Sequence, residues 1–156
     1  METKGIQDTH SSILILTDFS KSAKIAAEFG ANLAAQLKAD LLLFNSFKIP
    51  NRSYDSLPST EDTSLPQKSR ECLNIEVARL NEILQVREMQ FTPKIDCISK
   101  EGSIVENVCT ILQEHQNILM VVMGGCKING HDDVLFGSDI TEVLHKVKCP
   151  TLIVPE

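Results

Sequence analysis

Five short apolar runs, separated by segments with helical periodicity, constrain this chain more than any other feature. Ile13-Leu14-Ile15-Leu16, Leu41-Leu42-Leu43-Phe44 and the run at 118–123 are continuously apolar, as strands buried on both faces are. Residues 94–99 alternate more, which suits the edge of a sheet. Thr151-Leu152-Ile153-Val154 is closed by Pro155, consistent with a strand end or an edge. Between these runs, apolar residues recur every three or four positions. Ala23, Ala26, Ala27, Gly30, Leu33, Ala34 and Leu37 form the first stripe; Leu73, Val77, Leu80 and Leu84 form the second, within 67–88. Ile104, Val108 and Ile111 form the third, and Ile140, Val143, Leu144 and Val147 the fourth. The order β-α-β-α-β-α-β-α-β predicts an α/β fold, a parallel sheet with helices on both faces and a right-handed first crossover.

Local signals place the boundaries. Ser20 is the expected N-cap of the first helix and Asp40 its end. Ser103 and Glu106 match a capping box ahead of the third helix. Asp139 and Glu142 fall in the first turn of the last helix and Lys146 and Lys148 near its end, matching the macrodipole, before Cys149-Pro150 stops it. Residues 1–11 read as a flexible tail and 12–156 as one domain. Residues 48–66, rich in Ser, Thr and Asp with three prolines, read as a mobile loop.

The formal net charge of −6 and a pI near 5.2 argue against a nucleic-acid or anionic-membrane partner, because such surfaces bind cationic proteins. Cysteines at 72, 97, 109, 126 and 149 are odd in number and dispersed; with neither a leader nor a long apolar run, a reduced cytoplasmic protein is expected. No Cys-x-x-Cys or paired His spacing supports a structural zinc site. Cys126 and His131 read first as loop residues, with a redox thiol and a proton-transfer group as the sharper alternatives.

The candidate site is the stretch where the fourth run breaks on Gly124-Gly125, crosses a polar loop and meets Gly137-Ser138 at a helix start. Such a junction at the carboxyl end of a parallel strand suits a ligand crevice. It is not a Walker loop, since His131-Asp132 stands where Lys-Ser/Thr would be; Gly-x-Gly-x-x-Gly and Gly-x-Ser-x-Gly are absent.

Taken together, Ile13 to Ser20 with the Ala-rich helix, Gly102 ahead of the third helix, Val121-Val122-Met123-Gly124, Leu135-Phe136-Gly137-Ser138 and Cys149-Pro150-Thr151-Leu152-Ile153-Val154-Pro155 resemble the universal stress protein family. The resemblance runs from about residue 12 to the end. It implies a Rossmann-like, adenine nucleotide alpha hydrolase-like sheet in the order 3-2-1-4-5, and a homodimer through the last strand, 151–155, in a cytoplasmic stress-response protein.

In nucleotide-binding members of that family ATP lies across the ends of strands one and four. Carried over, Thr17 and Asp18 would meet the adenine, Ser46 would border it, and Gly124 and Gly137-Ser138 would hold the phosphates, with magnesium as the companion ion; Met123, Lys127 and Asp139 complete the candidate nucleotide-binding set. The family's phosphate motif places a glycine where this chain has Lys127. Glycine lets the backbone approach a ligand and adopt positive φ; lysine offers an ammonium instead. Asp132, Asp133 and Asp139 add carboxylates nearby in sequence. One carboxylate about 4 Å from a phosphate costs about 4 kcal/mol at an effective dielectric near 20, half of a micromolar affinity. Asp139 also has a plain role as a helix-stabilising acid, and Asp18 one as the capping partner of the following helix.

Two functions follow from this reading. One is a stress-response regulatory module with a weakened site for ATP or a related adenine nucleotide. The other is a dimeric interaction module that binds no nucleotide and acts on a protein partner. No base and metal pair is legible, so ATP hydrolysis is expected to be weak at most.

Overall fold

The computed structural model describes residues 10–49, 60–125 and 138–156. Among the described residues nine elements alternate: β1 (Ser12–Leu16), α1 (Lys21–Leu37), β2 (Asp40–Phe47), α2 (Thr60–Val86), β3 (Ile95–Glu101), α3 (Ile104–Glu114), β4 (Ile118–Gly124), α4 (Ser138–Lys146) and β5 (Thr151–Val154). The strands form one sheet in the order β3-β2-β1-β4-β5, every pairing parallel. Residues 1–9, 50–59 and 126–137 lie outside the described set, and with them most of the expected tail and loop.

The twofold period of the strands divides the core. Ile13, Ile15, Leu41, Leu43, Val122 and Val154 face α1 and α2; Leu14, Leu16, Leu42, Phe44, Val121 and Met123 face α3 and α4. Because β1 has covered faces and strands on both sides, Ile13, Leu14 and Ile15 are wholly buried. The alanine stripe of α1 is buried too, and its small side chains let the helix lie close to the sheet. At Gly30 an added Cβ would come within 2.7 Å of Ile15 Cδ1.

Several boundaries differ from the sequence expectations. Helix α2 begins at Thr60 rather than after Pro66, so residues 60–66 are helix and not loop. Pro66 gives up one backbone hydrogen bond there, and the buried Leu73, Leu80 and Leu84 hold the helix nonetheless. Helix α1 ends at Leu37, with Lys38 in a left-handed cap whose N–H reaches Ala34 O; Asp40 opens β2 instead of closing the helix.

Ser20 caps α1 as expected, accepting from Ala23 N at 3.3 Å. Ser103 stands at the N-cap of α3 but makes no side-chain capping bond. That junction is held instead by Asn107 Nδ2 donating to Glu101 O at 3.1 Å. Leu37 and Leu144, expected on inner stripes, are exposed. Lys148 lies beyond the end of α4, whose last turn carries His145 and Lys146.

Helices α1 and α2 are tied by charge as well as by packing. Glu76 on α2 is 2% exposed, and Arg79 grips it with two bonds, Nε to Oε2 at 2.9 Å and Nη2 to Oε1 at 2.5 Å. Arg79 Nη1 also bonds Glu28, and Nη2 reaches Lys24 O at 3.3 Å, both on α1. The hydrogen bond to Glu76 pushes the Arg79 pKa above its ordinary value, against the opposing effect of burial.

Candidate nucleotide site

The strand order reverses beside β1: the chain runs out through β2 and β3 on one side and returns through β4 and β5 on the other. At the carboxyl ends of the central strands this leaves a crevice between diverging connections, the usual ligand position in open α/β sheets. A cavity of about 450 Å³ lies there, within the range of small-molecule sites. Its walls come from the end of β1 (Leu16, Thr17, Asp18), the start of α1 (Ser20, Lys21, Ser22, Ala23), the end of β2 (Phe44, Asn45, Ser46) and the end of β4 (Met123, Gly124). Ile104, Ile140 and Glu156 complete it.

Five of the nine expected site residues therefore share one cavity: Thr17, Asp18, Ser46, Met123 and Gly124. Ser138 and Asp139 open α4, and nothing is described of their side chains. Lys127 and Gly137 lie outside the described residues, as do Cys126, His131, Asp132 and Asp133.

The β1–α1 turn is built by side chains that replace missing backbone partners. Thr17 N continues the ladder to Phe44 O at 2.9 Å, and Thr17 Oγ1 accepts from Phe19 N at 3.0 Å. Asp18 Oδ1 accepts from Ser20 N at 3.0 Å, so Asp18 braces the entry to α1 and lines the cavity at once. The two alternatives read from sequence for this residue are compatible. Phe19 takes φ +65°, a conformation that costs a non-glycine residue about 1 kcal/mol or more. The tight turn aims Thr17 and Asp18 at the crevice.

Ser46 is fixed from the other side. Its hydroxyl donates to Gly102 O at 2.6 Å, and Gly102 N donates to Phe47 O at 2.9 Å. Gly102 has φ +116°, which glycine adopts readily and other residues rarely do.

Sequence reasoning missed the floor of the site. Asn45, 8% exposed, donates from Nδ2 to Thr17 O at 2.8 Å and accepts at Oδ1 from Ser69 Oγ at 2.7 Å. Ser69 Oγ lies 2.6 Å from Ser99 Oγ, so with one proton per hydroxyl Ser99 donates to Ser69 and Ser69 to Asn45. The relay joins β3, α2, β2 and the turn that follows β1, and stripping one buried partner from such a chain costs about 1–3 kcal/mol. The only sequence signal was polar: Asn45 and Ser46 follow an apolar run and Ser69 interrupts a helix.

Gly124 was expected to serve phosphate approach. The structure gives it a packing reason of its own: an added Cβ would stand 2.7 Å from both Ser22 C and Ser22 O, and 3.0 Å from Ala23 N. The end of β4 presses directly on the first turn of α1.

Leu16, Phe44, Ile104, Met123 and Ile140 give the cavity apolar walls suited to a planar base, while Thr17, Asp18 and Ser46 supply polar groups at its rim. The charged residues of the described lining are Asp18, Glu156 and Lys21. Among the described residues no group of three or more His, Cys, Asp or Glu side chains is placed to hold a metal ion, and no helix is long and apolar enough to cross a membrane.

The sequence model of the universal stress protein family matches residues 10–155. The chain belongs to the universal stress protein family. Solved universal stress proteins share the whole fold at low identity. One from Burkholderia pseudomallei is 21% identical, with 96% of this chain and 98% of that chain covered and a TM-score of 0.64. A universal stress protein solved in complex with cAMP is 18% identical, with 94% and 97% covered and a TM-score of 0.64. The protein from Archaeoglobus fulgidus in complex with dAMP is 17% identical, with 93% and 98% covered and a TM-score of 0.63. No curated protein matches the sequence. The five-stranded order 3-2-1-4-5 expected from the family resemblance is the order observed.

Proposed function

We propose that this universal stress protein is a cytoplasmic regulatory module that binds an adenine nucleotide in the cavity at the ends of β1 and β4. The observation that carries the reading is the convergence of Thr17, Asp18, Ser46, Met123 and Gly124 on one apolar-walled cavity of about 450 Å³. Solved relatives in complex with cAMP and dAMP support the same ligand class. Apolar walls take the base, and the Thr17–Asp18 turn and Ser46 present hydrogen-bonding groups to its edge and to the sugar. Where the ligand is ATP with magnesium, Lys127, Gly137, Ser138 and Asp139 would stand on its phosphate side. Isothermal titration of the full chain with adenosine, AMP, cAMP and ATP, with and without magnesium, tests the proposal. Saturable binding of at least one of them below millimolar concentration is expected, and heat indistinguishable from dilution for all four would overturn it.

A second reading, an interaction module without nucleotide, draws on Gly124, whose glycine is accounted for by packing against Ser22 alone. Either function suits a homodimer formed along β5, a sheet-edge strand whose Leu152 and Ile153 are only partly buried. Sedimentation equilibrium is expected to return twice the chain mass, and a monomer at tens of micromolar would remove the dimer from both readings.

A further inference from the structure

The mouth of the cavity carries a charge arrangement that bears on which ligand enters. Lys21 is the first residue of α1 and lines the cavity; its Nζ lies 3.3 Å from Glu156 Oε1, and Glu156 lines the cavity too. A cation is poorly placed at a helix start, where the dipole favours anions. Its charge is answered here from just beyond β5. The Glu156 side chain is 32% exposed and that of Lys21 80%, so the carboxylate rests against the protein while the ammonium reaches it from solvent. Asp18, on the neighbouring rim, brings the described charged lining to two carboxylates and one ammonium.

Resting on the nucleotide reading above, we propose that Glu156 is an intramolecular competitor for the anionic group of the ligand, and that the site thereby selects adenine ligands of low charge. A phosphate that reaches Lys21 has to displace the Glu156 carboxylate or lie beside it. Each further negative charge on the ligand adds repulsion from Glu156 and Asp18, the two carboxylates of the lining. The apolar walls are indifferent to that charge, so base recognition and phosphate discrimination are separable. The favoured class is a nucleoside or a nucleotide with one phosphate group, cyclic or open, over a triphosphate.

The test is titration of adenosine, cAMP, AMP and ATP into the full chain and into Glu156→Gln and Lys21→Gln, at low and high salt. In the unaltered protein ATP is expected to bind more weakly than cAMP. Glu156→Gln should leave adenosine within about twofold and strengthen ATP by up to about fivefold, the scale of one exposed ion pair. That gain should shrink at high salt. Lys21→Gln should weaken cAMP and AMP while leaving adenosine unchanged. ATP binding tightest to the unaltered protein, or Glu156→Gln shifting adenosine and ATP alike, would overturn the competitor role and leave the nucleotide reading standing. No binding of any adenine ligand to any of the three proteins would overturn both.

Discussion

Gly124→Ala is expected to lower stability by about 3 kcal/mol, a fall in Tm of roughly 6–12 °C for a chain of this size. The new Cβ would stand 2.7 Å from two backbone atoms of Ser22, and backbone inside the first turn of a helix cannot step aside as a side-chain tip can. Either β4 or the start of α1 has to move, and both line the cavity. Gly30→Ala is the control. Its Cβ would also meet an atom at 2.7 Å, but that atom is Ile15 Cδ1, the far end of a flexible side chain. Alanine in place of glycine inside a helix contributes up to about 1 kcal/mol in return, so Gly30→Ala should lie near neutral. Chemical denaturation of both variants separates two roles for Gly124. If Gly124→Ala keeps full stability and loses only ligand binding, its glycine serves phosphate approach and not packing.

Arg79→Met is expected to cost about 3 kcal/mol or more, since it strands the Glu76 carboxylate, which is 2% exposed, without its partner. The loss exceeds what a surface ion pair would give, because the penalty arises from a buried charge left alone and not from attraction removed. Arg79→Met combined with Glu76→Gln should therefore recover more than half of the loss. A single variant within about 0.5 kcal/mol of the parent would show that the cluster contributes nothing to joining α1 and α2, and a double variant worse than the single would show that the loss does not come from a stranded Glu76 carboxylate. Urea denaturation at neutral pH reads both outcomes.

The parts of the fold that follow from periodicity were legible. The strands at Ile13, Leu41 and Ile118, and the alanine stripe of α1, are dictated by burial on both faces or along one stripe, and burial writes itself into the sequence as spacing. The sheet order was not in the periodicity; it came from the family resemblance. Pro66 misled because proline's rule is local, whereas α2 is held by Leu73, Leu80 and Leu84 further along. Ser103 misled for a related reason: the capping box is a pattern of residue types, and here Ser103 makes no side-chain cap while Asn107 ties the junction to Glu101 O. The Asn45, Ser69 and Ser99 relay joins residues 24 and 30 positions apart, and no spacing rule finds hydroxyls that meet only after the sheet has formed. Glu156 was invisible as a site residue in the same way, being one acid among many until β5 carries it to Lys21.

At Gly124 no side chain lies between the end of β4 and the opening turn of α1. Side chains normally act as cushions that let neighbouring elements slide by small rotamer changes, and here that cushion is missing. The strand end and the helix start are therefore mechanically locked. A displacement of Gly124 toward the helix has no side chain to absorb it and meets the backbone of Ser22, so the end of β4 sets how the opening turn of α1 can sit at the cavity.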